Sequence, residues 1–161
     1  MTKSNRQAHW QNVYATKDEQ EVSWFEESPE ISLALIDATG VAKDAAIIDI
    51  GGGASRLVDA LLDRGFSDIT VLDLSNKAIE TSQARLGARG KAVQWVTADA
   101  ITWQPLRSYD VWHDRAAFHF LTEPEDRKTY ARQAAHAVGA GGHVIIGTFA
   151  LDGPERCSGL P

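Results

Sequence analysis

Short apolar runs recur along the chain, each closed by a polar or acidic residue and followed by a stretch with helical spacing. The first is Ala46-Ile47-Ile48-Asp49-Ile50, which runs into Gly51-Gly52-Gly53. Later runs are 69–73, 93–97, 109–113 and 143–149. Each is short, rich in β-branched or aromatic residues, and bounded by glycine or polar residues, so each is predicted to be a strand. Between them the apolar spacing turns to three and four. Leu57, Val58, Leu61 and Leu62 mark a helix over about 54–64. Ser75 is placed to cap a helix reaching about Arg89, and Thr122-Glu123-Pro124-Glu125 has the form of a capping box opening a helix to Val138. Upstream, residues 5–17 suggest a polar helix with Trp10 and Tyr14 on one face, and 18–27 a loop holding Trp24 and Phe25. Ser28-Pro29-Glu30 opens a helix that Gly40 ends, with Ser28 as its cap.

Strands alternating with helices predict an α/β fold: a Rossmann-like parallel sheet of about five strands with helices on both faces. The expected organisation is a single domain over 1–161. It has a helical cover (1–40), a core (41–149) and a tail (150–161) without clear periodicity. In such sheets ligands bind beyond the carboxyl ends of the strands. Asp49, Asp73 and Asp99 fall there, as does the run His113-Asp114-Arg115. Asp73 is expected at a strand end outside the core. The glycines let a ligand approach bare backbone, and an acid at the end of the second strand can accept from ribose hydroxyls.

Composition narrows the classes. A net charge of −6 argues against a nucleic-acid surface, which would be basic. The single cysteine, Cys157, gives neither a disulfide framework nor a metal cluster. No apolar run approaches the roughly 20 residues a membrane span needs, and Met1–Trp10 lacks the apolar core of a signal peptide, so a cytoplasmic location is expected.

Two cofactor classes compete for the pocket rim. A dinucleotide fingerprint would place a third glycine where Arg56 stands. Asp49, just ahead of the glycines, is also ill suited to pyrophosphate. A carboxylate there suits a cofactor with a positive group, such as S-adenosylmethionine.

With these motifs the chain resembles the class I S-adenosylmethionine-dependent methyltransferases over roughly residues 9–149. Asp49-Ile50-Gly51-Gly52-Gly53 matches their first motif, Asp73-Leu74-Ser75 with Ala78 the second, and Asp99-Ala100 the third. Tyr109-Asp110-Val111-Trp112 matches their fourth strand and Gly141-Gly142 the glycines before the fifth. A weaker likeness joins Trp112–Ala116, Trp10, Trp24 and Asp152-Gly153-Pro154 to thiopurine and related thiol methyltransferases. The chain also looks like small bacterial methyltransferases with a similar D-R-A-x-F-H-F-L segment.

The resemblance implies roles. Asp49, Gly51 and Gly53 would wrap the methionine end of the cofactor and Asp73 the ribose hydroxyls. Leu74 would pack on the adenine, with Asp99 and Ala100 at its edge, and Tyr14 and Trp24 would cover the pocket. Asp114, Arg115 and His119 are the candidates for the acceptor side: a histidine base for an alcohol or amine, or an arginine fork for an anionic acceptor. Asp114 and Arg115 suit an ion pair with each other equally well, and His113 reads more readily as a strand-end residue satisfied by backbone. A small-molecule acceptor is expected, without nucleic acid or membrane. Class I enzymes continue past the fifth strand with a helix and a hairpin, which are expected to be missing here. The fifth strand would then be an open apolar edge, which predicts a homodimer. The alternatives are a non-catalytic S-adenosylmethionine-binding remnant and a nucleotide-dependent oxidoreductase.

Overall fold

The computed structural model describes residues 3–16, 21, 25–115, 117–150 and 152–153. Five strands form one sheet: β1 (Ala46–Ile50), β2 (Asp68–Asp73), β3 (Val93–Thr97), β4 (Tyr109–Arg115) and β5 (Val138–Gly147). Their order is β3-β2-β1-β4-β5 and every pairing is parallel. The helices are α1 (Lys3–Thr16), α2 (Glu30–Ala38), α3 (Leu57–Asp63), α4 (Asn76–Leu86) and α5 (Pro124–Ala137). The expected Rossmann-like architecture is therefore present.

The central strands are largely apolar and mostly buried because both faces of a parallel sheet are covered, with their polar residues gathered toward the strand ends. All five residues of β1 are buried. Ile47, Ile69, Val71 and Val111 meet Leu33 and Ile36 of α2 and Leu57, Val58 and Leu61 of α3. Ile48, Ile50, Leu72 and Trp112 face the other way, toward Tyr130 and Ala134 of α5. The order reverses beside β1, between β2 and β4, and that reversal opens a crevice at the carboxyl ends of the strands.

Several boundaries differ from expectation. β4 runs on to Arg115, because β1 pairs with it as far as Asp114 and β5 as far as Arg115. His113, Asp114 and Arg115 are thus strand residues rather than loop residues. β5 begins at Val138, ahead of its glycines, across a register irregularity opposite Tyr109 and Val111. Ser75 caps α4 as expected, its Oγ accepting from the Ala78 amide at 3.2 Å. The other two caps do not form. Pro29 takes the cap position of α2 and Ser28 turns its hydroxyl onto the Glu30 carboxylate, while Glu123 starts α5 without a side-chain cap. α4 stops at Leu86, where Gly87 takes a positive φ and a 3-10 turn follows.

One buried polar chain ties β4 to α5. Trp112 Nε1 donates to the Tyr130 hydroxyl at 2.9 Å, and that hydroxyl donates to the Asp114 carboxylate. Asp114 also accepts from the Ala117 and Phe118 amides at 2.9 and 3.2 Å. Burial raises the Asp114 pKa against the lowering effect of these donors. Tyr130→Phe would remove the donor to Asp114 and the acceptor for Trp112 at once. We expect urea denaturation to show a loss of about 1–3 kcal/mol, the cost of leaving buried polar groups unpaired.

Candidate active site

The crevice at the switch point has two adjoining lobes with Tyr14, Gly51 and Arg115 common to both. The larger encloses about 740 Å³, including space open to solvent, and the smaller about 450 Å³.

The glycine turn shapes the wall between the lobes. Gly51 has a φ of 70°, a region that side chains disfavour. Its amide donates to the Leu72 carbonyl at 2.7 Å, which folds the turn back over the end of β2. At Gly52 a Cβ would stand 2.2 Å from Asp49 Oδ2, so that carboxylate lies directly beneath the turn.

Asp73 closes β2. Its Oδ2 accepts from the Gly53 amide at 3.0 Å and its Oδ1 from the Ser75 amide at 2.7 Å. It is buried, not outside the core as expected, because it holds the glycine turn and the start of α4 together. Burial raises its pKa to about 6, against the lowering pull of the Ser75, Gly53 and Leu74 amides. Asp73 lines the larger lobe, and a carboxylate oxygen holding one amide can still accept a further donor. Leu74, Ala100 and Ile101 supply apolar walls in the same lobe.

Asp99 is also buried, and its partners are different. Oδ1 accepts from the Ile101 amide at 3.0 Å, and Oδ2 accepts from Arg6 of α1 at 3.0 Å. Arg6 reaches Asp126 of α5 as well, at 2.7 Å. Arg6, Trp10 and Tyr14 lie on one face of α1 and roof the cleft, with Trp10 edge-on to Phe120 at 4.7 Å. Gln11 fastens the same helix to α4 by accepting from Ser75 Oγ and the Lys77 amide. Trp24, expected in this cover, lies outside the described residues.

The smaller lobe holds Asp49, Gly52, Arg56 and His113. Asp49 Oδ1 accepts from His113 Nδ1 at 2.7 Å. Asp49 Oδ2 is buried and has no hydrogen-bond partner among the described residues. His113 is satisfied by side chains rather than by backbone, since its Nε2 meets Ser32 Oγ at 2.9 Å.

The three acceptor-side candidates separate. Arg115 lines both lobes and pairs with Glu26 at 3.1 Å, not with Asp114. Asp114 is fully buried and turned onto Tyr130, because its carboxylate caps the turn after β4. His119 is half-buried between Phe120 and Phe149, with ring centroids 4.0 and 4.7 Å away. Neither of its nitrogens has a partner among the described residues, and burial lowers its pKa. It does not line either lobe.

Sequence reading missed Arg6, Tyr130 and Ser32. Arg6 sits four residues before Trp10, the one signal available for it. Tyr130 and Ser32 lie on helices whose spacing marks them as core.

Asp73 makes stability depend on pH in a defined sense. Its folded pKa is raised above the ordinary carboxylate value, so its favourable contribution is full below about pH 4 and is lost as pH rises through about 6. Relative to Asp73→Asn, the unaltered protein should lose roughly 3 kcal/mol across that window and nothing further above it, as measured by denaturant unfolding at stepped pH.

Comparison with known proteins agrees with this geometry. A family model described as a methyltransferase domain matches residues 47–142. EEF1A lysine methyltransferase 2 of Danio rerio is 32% identical over 109 residues, covering 65% of this chain and 47% of that protein. The chain therefore spans about half the length of this curated relative. Among solved structures, the DhpI-SAM-HEP complex superposes with a TM-score of 0.74 at 16% identity, over 92% of this chain and 67% of that one. An S-adenosylmethionine-dependent methyltransferase from Clostridium acetobutylicum ATCC 824 superposes with a TM-score of 0.64 at 17% identity, over 90% and 57%.

Proposed function

The chain belongs to the methyltransferase-domain family, and from that premise we propose that it binds S-adenosylmethionine and transfers its methyl group to a small-molecule acceptor. The observation that carries the cofactor reading is Asp49 Oδ2, a buried carboxylate oxygen beneath the glycine turn with no partner among the described residues. A buried anion left half-satisfied calls for a cation and repels phosphate. A sulfonium cofactor with an ammonium group meets that demand, and a dinucleotide does not.

The residues present fit the rest of such a cofactor. Asp49 and the turn at Gly51 and Gly53 would hold the amino-acid end, and Asp73 the two ribose hydroxyls. Leu74, Ala100 and Ile101 would flank the adenine, with Asp99 as acceptor at its edge. Trp10 and Tyr14 on α1 would shield it from water. The bound group supplies an electrophilic methyl on sulfur, whose departure leaves a neutral thioether. The protein then has only to align the acceptor and exclude water. Arg115, which faces both lobes, would orient the acceptor.

Calorimetry with S-adenosylmethionine, S-adenosylhomocysteine and NAD tests the cofactor. We expect the first two to bind; binding of NAD alone would overturn the reading. Asp73→Ala should weaken S-adenosylhomocysteine binding by about 10- to 100-fold, the value of a charged hydrogen bond. Because that variant frees two buried amides, its circular dichroism must first match the unaltered protein. In the unaltered protein, affinity should fall below about pH 6, as protonated Asp73 loses acceptor capacity. Turnover on thiols, amines and carboxylates, beside a lysine-bearing protein substrate, assigns the acceptor. Activity confined to the protein would replace the small-molecule reading, and cofactor binding without turnover would favour a non-catalytic role.

A homodimer through β5 is the accompanying reading. β5 stands at one end of the sheet order, and Val144 and Ile146 on it are 47% and 42% exposed. Apolar side chains on an edge strand favour pairing with a second copy, and a twofold axis would close the assembly. Light scattering at micromolar concentration should give twice the chain mass, reduced to one chain by Ile146→Lys. A monomer in the unaltered protein would refute it.

A further inference from the structure

Behind the glycine turn three buried side chains form one line, Asp49 to His113 to Ser32, spanning β1, β4 and α2. A carboxylate can only accept, so Nδ1–H of His113 donates to Asp49 Oδ1. In a neutral ring, Nε2 is then left to accept from the Ser32 hydroxyl. The connectivity is that of a hydrolytic triad. However, Ser32 is only 3% exposed and lines neither lobe, so its oxygen cannot meet a substrate. The line ends instead at Asp49 Oδ2, the unpartnered atom under the glycine turn.

We propose that His113, braced by Ser32, is a positioning residue for the charged amino-acid end of the cofactor. It fixes the Asp49 carboxylate with one oxygen occupied and the other aimed at the turn. This rests on the S-adenosylmethionine reading above. The choice of imidazole has a chemical reason. A lysine or arginine at position 113 would neutralise Asp49 and compete with an incoming ammonium. An imidazole donates one hydrogen bond without requiring a charge, so the carboxylate stays oriented and stays available. Ser32 holds the ring from its far side, much as outer partners orient histidines elsewhere.

The test compares two probes on the full chain by calorimetry. S-adenosylhomocysteine carries the amino-acid end, and 5′-methylthioadenosine keeps the nucleoside but lacks that end. His113→Leu should weaken S-adenosylhomocysteine by about tenfold or more, the scale of a lost charge-assisted hydrogen bond, and leave 5′-methylthioadenosine unchanged. Ser32→Ala, the milder change, should show the same selective loss at smaller size. His113→Asn places an amide donor where Nδ1 stands and should recover much of the affinity. Equal losses for both probes, or no loss for either, would overturn the positioning role while leaving the cofactor reading intact. Failure of the unaltered protein to bind either probe would overturn the cofactor reading, and this inference with it.

Discussion

Four carboxylates are buried at one end of the sheet, and the need to give each of them hydrogen-bond donors shapes everything around the crevice. A buried charge without donors is too costly to persist. Asp73 draws in the glycine turn and the first turn of α4. Asp114 draws in the turn after β4 and the Tyr130 hydroxyl. Asp99 takes an amide from its own loop and a guanidinium from α1. Asp49 takes one imidazole and stops there. The loops therefore converge on the strand ends because the acids hold them there, and of the four acids Asp49 alone keeps an oxygen without a partner among the described residues.

The same acids explain how much of this was legible in the sequence. The apolar runs at 46–50 and 69–73 state their own burial, and these two strands and the one at 93–97 fall where the pattern puts them to within a residue. The glycine turn and the acids at 49, 73 and 99 were visible as a register of motifs. What the pattern does not carry is who answers each acid. Arg6 lies 93 residues from Asp99, and Ser32 lies 81 from His113. Such partners are set by tertiary packing and leave no local signal. Capping shows the same limit: Ser75 stands at the cap position and accepts from the Ala78 amide, whereas Pro29 holds the cap position of α2 and leaves Ser28 one residue outside it, donating to the Glu30 carboxylate.

Arg6 changes the meaning of the N-terminal helix. Aromatics on a polar helix would suggest a cover held by packing alone. Its guanidinium instead bridges the end of β3, through Asp99, to α5, through Asp126. The helix roofing the larger lobe is thus attached to both halves of the sheet by ion pairs as well as by packing, and the largely buried Arg6–Asp99 pair is little screened by salt.

The parallel pairing of β1 with β4 also governs when the crevice can exist at all. Ile47 lies beside Val111, and the Asp49–His113 contact bridges the same 64 residues of chain. Every glycine and acid of the first three motifs is already present once β3 has been made, yet β1 still has one bare edge. Its carboxylate then has no imidazole to meet. Loop closure over such a distance comes late and slowly, so the polypeptide carries a complete set of motifs before it carries a site. A nascent or shortened chain ending ahead of β4 would hold the signature in its letters and none of its chemistry.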